Sequence, residues 1–126
     1  MEIIRAKAFV ESYHFDARNL AFEKENGITA PETKLRVDFQ LIDQNTEQNR
    51  TTIINILSFM IVLEHFVISG TFKQLVHLQG RIVKEPTEFT ADEKRTLVEP
   101  LLDMLQRMTY DVTEIAFDAP GVNLEF

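Results

Sequence analysis

The chain has 126 residues, a formal net charge of −7 at neutral pH and no cysteine. That length fits one domain, residues 1–126, built on a single core. The missing thiols exclude disulfides, thiolate metal sites and a cysteine nucleophile.

The charge is unevenly spread. Residues 1–84 hold ten acids and ten bases, while residues 85–126 hold ten acids and three bases, so the C-terminal third carries the whole imbalance. No basic patch is present to neutralise phosphates, which argues against nucleic acid as a partner and against an anionic membrane surface. Met1–Phe15 lacks the basic-then-apolar layout of a secretion signal, so a cytoplasmic location is expected.

In chain order, Met1–Phe15 predicts a first strand, with Ile4, Ala6, Ala8 and Val10 on one face. Asp16–Thr33 is polar, contains Gly27 and Pro31, and predicts a connection in which Asn19–Glu25 could form a short edge strand. Lys34–Asp43 alternates Leu35, Val37, Phe39 and Leu41 with mostly polar neighbours, the pattern of a strand with unlike faces. A polar loop of hairpin length follows at residues 45–49.

The longest apolar run is Thr51–Phe72, rich in β-branched and aromatic residues that favour a strand. Its uncharged part ends at Glu64, too short for a membrane span of about 20 residues. At about 3.3 Å per residue, the run is also too long for one strand of a small domain. A bend or break is expected either near Leu63–His65 or at Gly70. Both faces of the run are apolar, so both need cover.

Gly80–Phe89 predicts a loop. Thr90-Ala91-Asp92-Glu93 and Thr96-Leu97-Val98-Glu99 each fit a helix-capping pattern, and Pro100 would suit the first turn of a helix capped by Thr96. The expected main helix is therefore about Leu97–Val112, with one kinked helix from Ala91 as the alternative. The tail from Glu114 is expected to be extended, with a turn at Pro120-Gly121. The fold class is α+β, one antiparallel sheet of about four strands with one main C-terminal helix packed on it.

One helix can cover only part of one sheet face. The other face of the run is expected to meet a second copy, giving a homodimer or tetramer. Candidate contact residues are Ile53, Leu57, Phe59, Ile61, Leu63, Phe66, Ile68 and Phe72.

The usual marks of catalysis are missing. His14, His65 and His77 show no metal-ligand spacing, and Ser12, Ser58 and Ser69 lie in no nucleophile motif. There is no glycine-rich phosphate loop. Glu64 and His65 are adjacent, so on one strand they would point to opposite faces. A protein without enzymatic activity, cofactor or metal is expected.

Four collinear stretches carry a resemblance. They are Ile4-Arg5 through Tyr13-His14-Phe15-Asp16-Ala17, Leu63 through Ser69-Gly70-Thr71-Phe72, Thr96-Leu97-Val98-Glu99-Pro100, and Ala119-Pro120-Gly121-Val122-Asn123-Leu124-Glu125-Phe126. Together they resemble the SecB protein-export chaperones. The whole chain, notably YHFDARNL, VLEHFVISG and RMTYDVTEIAFDAPG, is similar to a small bacterial domain family of unknown function placed in that fold.

The resemblance implies a SecB-like tetramer and an acidic contact surface on the sheet for a motor ATPase. Asp16 falls at a matching acidic position, and Glu64 is offset by one, with His65 in the matching place. SecB-like chaperones continue past the Asn-Leu-Glu-Phe point into a second helix that helps form their peptide groove, whereas this sequence ends there. The expected function is a homo-oligomeric module that binds extended or unfolded polypeptide. The alternative is an assembly or adaptor protein with a specific folded partner.

Overall fold

The structure is a computed structural model that describes all residues, Met1–Phe126. Five strands form one antiparallel sheet: β1 (Glu2–Arg5), β2 (Phe9–Ala17), β3 (Lys34–Asn45), β4 (Arg50–Val62) and β5 (Phe66–Gln79). A short helix, α1 (Leu20–Glu25), follows β2, and a long one, α2 (Ala91–Phe117), ends the ordered elements. β1 and β2 both pair with the same edge of β5, so five strands fill four positions in the order β1/β2, β5, β4, β3. The expected first strand is thus split at residues 6–8. Gln74 repairs the split by donating its side-chain amide to Ala6 O at 2.9 Å.

The long apolar run breaks at Leu63–His65 and folds back as a hairpin. Leu63 N–H donates to Phe66 O, and Val62 pairs with Val67. Arg18 fastens the turn, donating through its guanidinium to Leu63 O at 2.8 Å and through its backbone to His65 O at 2.8 Å. It also pairs with Glu23 of α1 at 3.1 Å, hanging that helix on the hairpin end. Asn19–Glu25, expected as an edge strand, is therefore a helix. The Asn19 side chain accepts from Phe22 N and caps its start.

Gly70 is not the bend. β5 runs straight through it, and a Cβ there would stand 2.2 Å from Ser12 O. The glycine admits β2 where its register shifts between Val10 and Ser12.

α2 is one helix of 27 residues, the alternative reading, and it extends past Val112 to Phe117. Thr90 caps it in a reciprocal box with Glu93, while Thr96 lies inside the helix and donates back to Asp92 O. Pro100 therefore sits mid-helix, where it offers no N–H to Thr96 O. The sheet supplies the missing donors. Arg5 donates to Thr96 O at 2.7 Å and to Leu97 O at 3.0 Å, and buried Asn55 donates to Leu97 O at 2.8 Å. Burial lowers the Arg5 pKa from its ordinary value, and the negative charge of Glu99 opposes that shift.

Below this clamp the core has two parts. Phe39, Ile53, Val76, Leu78, Val83 and Phe89 surround Leu97, and Leu57, Phe59, Ile61, Phe66, Ile68 and Phe72 meet Val98, Leu101 and Leu105. The first half of the helix meets β1 through Arg5 and borders a cavity shared with β3, and its second half reaches β2, where Tyr13 OH meets Thr109 Oγ1 at 3.3 Å and Phe15 packs on Phe117.

The clamp predicts a coupled stability effect. Arg5→Ala should cost about 1–3 kcal/mol, the range for hydrogen bonds from charged donors. In a Pro100→Ala background, where residue 100 regains its N–H, Arg5→Ala should cost clearly less. Chemical denaturation of the four proteins measures this coupling, and additive effects would show that Arg5 does not act through the proline.

Candidate functional site

The sheet has one covered and one open face. Antiparallel pairing across the hairpin sets odd residues of β4 opposite even residues of β5, for example Ile53 with Val76 and Ile61 with Ile68. Those residues face α2. Of the candidate contact residues, Ile53, Leu57, Phe59, Ile61, Phe66, Ile68 and Phe72 are all buried there. They are core within one chain, not a surface, because the hairpin turns both halves of the run toward the helix. Leu63 is half-buried at the hairpin end.

The surplus apolar surface lies on the opposite face, on the residues between these. Ile54, Ile56, Met60 and Val62 of β4 adjoin Leu75 and Val67 of β5, and all six are half-buried with no element of the chain above them. Ile4 pairs with His77 and Phe9 with Lys73, so both join this face at its β1/β2 side, and both are exposed. The face also carries charge: Lys73 lies between Ile56 of β4 and Phe9 of β2 and meets Glu11 at 2.9 Å, and on the edge strand β3 Arg36 meets Asp38 at 2.9 Å. The parity of one uninterrupted strand could not show this face, since the three-residue turn exchanges odd and even between its two halves.

Asp16 pairs with Val67 and lies at the edge of the open face, exposed. Glu64 and His65 are exposed in the turn, in loose contact at 3.9 Å. The hairpin removes them from any strand face, so neither side of the sheet receives them. His77 Nδ1 and Thr52 Oγ1 are hydrogen-bonded at 2.8 Å. No three His, Asp or Glu side chains converge where they could hold a metal ion, and no helix is long and apolar enough to cross a membrane.

A second apolar feature lies on the helix side. α2 leaves a corner uncovered where β3 begins and β4 ends. Residues 122–126 return along the helix to fill it. Gln106 donates to Leu124 O at 2.9 Å, and Val122 N–H donates to Thr113 Oγ1 at 2.8 Å. Between the tail and the strands remains a groove of about 530 Å³, lined by Leu35, Ile61, Leu63, Val122, Leu124 and Phe126. Gly121 permits the return, since a Cβ there would stand 2.3 Å from Tyr110 O.

The family model described as "Protein of unknown function (DUF1149)" matches residues 1–126. The chain belongs to the DUF1149 family. A solved structure of a protein of unknown function from Streptococcus agalactiae is similar, with 51% identity over 100% of this chain and 98% of that one, at a TM-score of 0.91. A SecB-like chaperone of Mycobacterium tuberculosis, solved in complex with a ChAD peptide from the HigA1 antitoxin, matches with a TM-score of 0.54. It is 14% identical, covering 98% of this chain and 90% of that one, so the likeness is one of fold. Curated protein sequences give no match. This DUF1149 protein therefore has the SecB-like α+β fold, one antiparallel sheet with one main C-terminal helix.

The tail gives a direct prediction. Gly121→Ala should force the tail off Tyr110 and destabilise the protein by about 1–3 kcal/mol, the usual cost of overpacking. Amide exchange at Val122, whose N–H is bonded to Thr113, should quicken. Unchanged exchange there would show that the tail docks without needing the glycine.

Proposed function

We propose that this DUF1149 protein is a non-enzymatic, homo-oligomeric binding module that holds extended or unfolded polypeptide in a chaperone-like way. The observation that carries this reading is the open sheet face, with six half-buried apolar side chains and no element of the chain above them. Contiguous exposed apolar surface on a soluble domain usually marks a contact site. An unfolded segment offers apolar side chains in any order, and a broad, flat patch can accept many of them. The SecB-like chaperone of similar fold is seen with a peptide, which supports a polypeptide ligand here.

A second reading is an adaptor with one folded partner. It is favoured by the ion pairs on the face, Lys73–Glu11 among the apolar side chains and Arg36–Asp38 at the β3 edge, since fixed charges select a complementary partner. Asp16 stands at the edge of the face and would contact such a partner. A cytoplasmic setting suits both readings.

The test is suppression of aggregation. A guanidinium-unfolded enzyme diluted into buffer scatters light as it aggregates, and a stoichiometric excess of this protein should suppress the signal. Ile56→Gln with Met60→Gln should weaken client binding on the order of tenfold, because two apolar side chains leave the patch. Arg107→Ala, on the exposed side of α2, should change nothing. No suppression by the native protein would reject the holding reading in favour of the adaptor.

A further inference from the structure

The sheet has two outer edges, and they differ. The β1/β2 edge is interrupted at residues 6–8 and shifts register between Val10 and Ser12. Such breaks blunt an edge against pairing. The β3 edge is regular from Lys34 through Leu41, with every residue in step with β4. No backbone group in that stretch bonds to any segment other than β4. An edge of this length with unpaired amides and carbonyls is a template for another strand.

Its side chains say which strand fits. Arg36 and Asp38 stand on the open face two residues apart, with opposite charges. Charge on an edge strand often serves only to repel other chains. Like charges would do that, but an alternating pair does the reverse when two identical strands meet antiparallel about the residue between them.

We propose that β3 pairs antiparallel with β3 of a second copy, with Val37 on the twofold axis. Arg36 of each chain then faces Asp38 of the other, and Lys34 faces Gln40. On the helix side Leu35 faces Phe39. Leu35 is exposed in the single chain. Phe39 borders a cavity of about 500 Å³ that Val37, Pro86 and Val98 also line, and Leu35 of the second copy would lie against it.

Pairing in this register joins two sheets into one of eight positions, with both long helices on the same side. The two open faces then lie on one side of the joined sheet, separated by the charged seam of Lys34, Arg36, Asp38 and Gln40 from both copies. This inference rests on the self-association in the reading above and names its surface. It does not rest on polypeptide holding, so a failed aggregation assay leaves it standing.

The test is a charge-swapped mixture. Arg36→Asp leaves each edge with two acids, and Asp38→Arg leaves two bases. At low salt, each variant alone should self-associate about tenfold or more weakly than the native chain, since opposed cross-strand charges become like ones. A 1:1 mixture of the two should recover the native mass in sedimentation equilibrium, at twice the 14.6 kDa chain. Within one chain the Arg36–Asp38 pair is lost in both variants, so a purely intrachain role predicts no recovery on mixing.

The exposed positions of these side chains keep the core out of the experiment. Amide exchange on the native protein gives an independent reading. The β3 amides that do not bond to β4 should be protected at high concentration and exchange freely on dilution. A native chain that sediments at 14.6 kDa throughout, a variant that keeps native self-association, or a mixture that stays monomeric would overturn the proposal.

Discussion

Ile53, Leu57 and Phe59 lie under α2, while their strand neighbours Ile54, Ile56 and Met60 face away from it, half-buried. That shortfall of cover governs the rest of the molecule. A sheet apolar on both sides needs two covering layers, as parallel sheets in α/β proteins have. Here the chain supplies one long helix and a short tail. The core is therefore complete on one side, while the apolar residues of the other side stay half-buried.

The single helix is placed with care. A proline in mid-helix usually costs about 3 kcal/mol or more through its lost hydrogen bond and its clash with the preceding turn. In this fold the freed carbonyl is turned toward the sheet, where Arg5 and Asn55 reach across from β1 and β4 to the Thr96 and Leu97 carbonyls. The proline thus becomes an anchor that fixes where the helix crosses. The helix leaves one corner bare, and residues 122–126 double back to fill it. Arg5, Pro100 and Gly121 are far apart in sequence, but each serves the same need, to cover one sheet face with too little material.

Much of this was legible in the residues. The alternation of Leu35, Val37 and Phe39 marks β3, the excess apolar surface of Thr51–Phe72 marks the sheet's centre, and the Thr90–Glu93 capping pattern marks the start of α2 only as the alternative to a start at Leu97. What stayed hidden depended on long-range partners. Pro100 reads locally as a first-turn residue, because nothing nearby in sequence says that Arg5 will satisfy Thr96. Asn19–Glu25 shows no decisive period of its own, and the Arg18–Glu23 pair and the Asn19 cap make it a helix. The contact residues were assigned to the wrong side for a similar reason. Only the hairpin at Leu63–His65 decides which residues of the run face the helix, and that choice sends Ile53, Phe59, Phe66 and Phe72 to the core.

We propose that this DUF1149 protein, which has a SecB-like fold, meets unfolded polypeptide on its open face. The most direct measurement of that claim is site-specific photocrosslinking. A photoreactive side chain at position 56, on the open face, should crosslink to an unfolded client, and one at position 107, on the exposed side of α2, should not. Crosslinks from position 107 with none from position 56 would contradict the account and move the binding surface to the helix side.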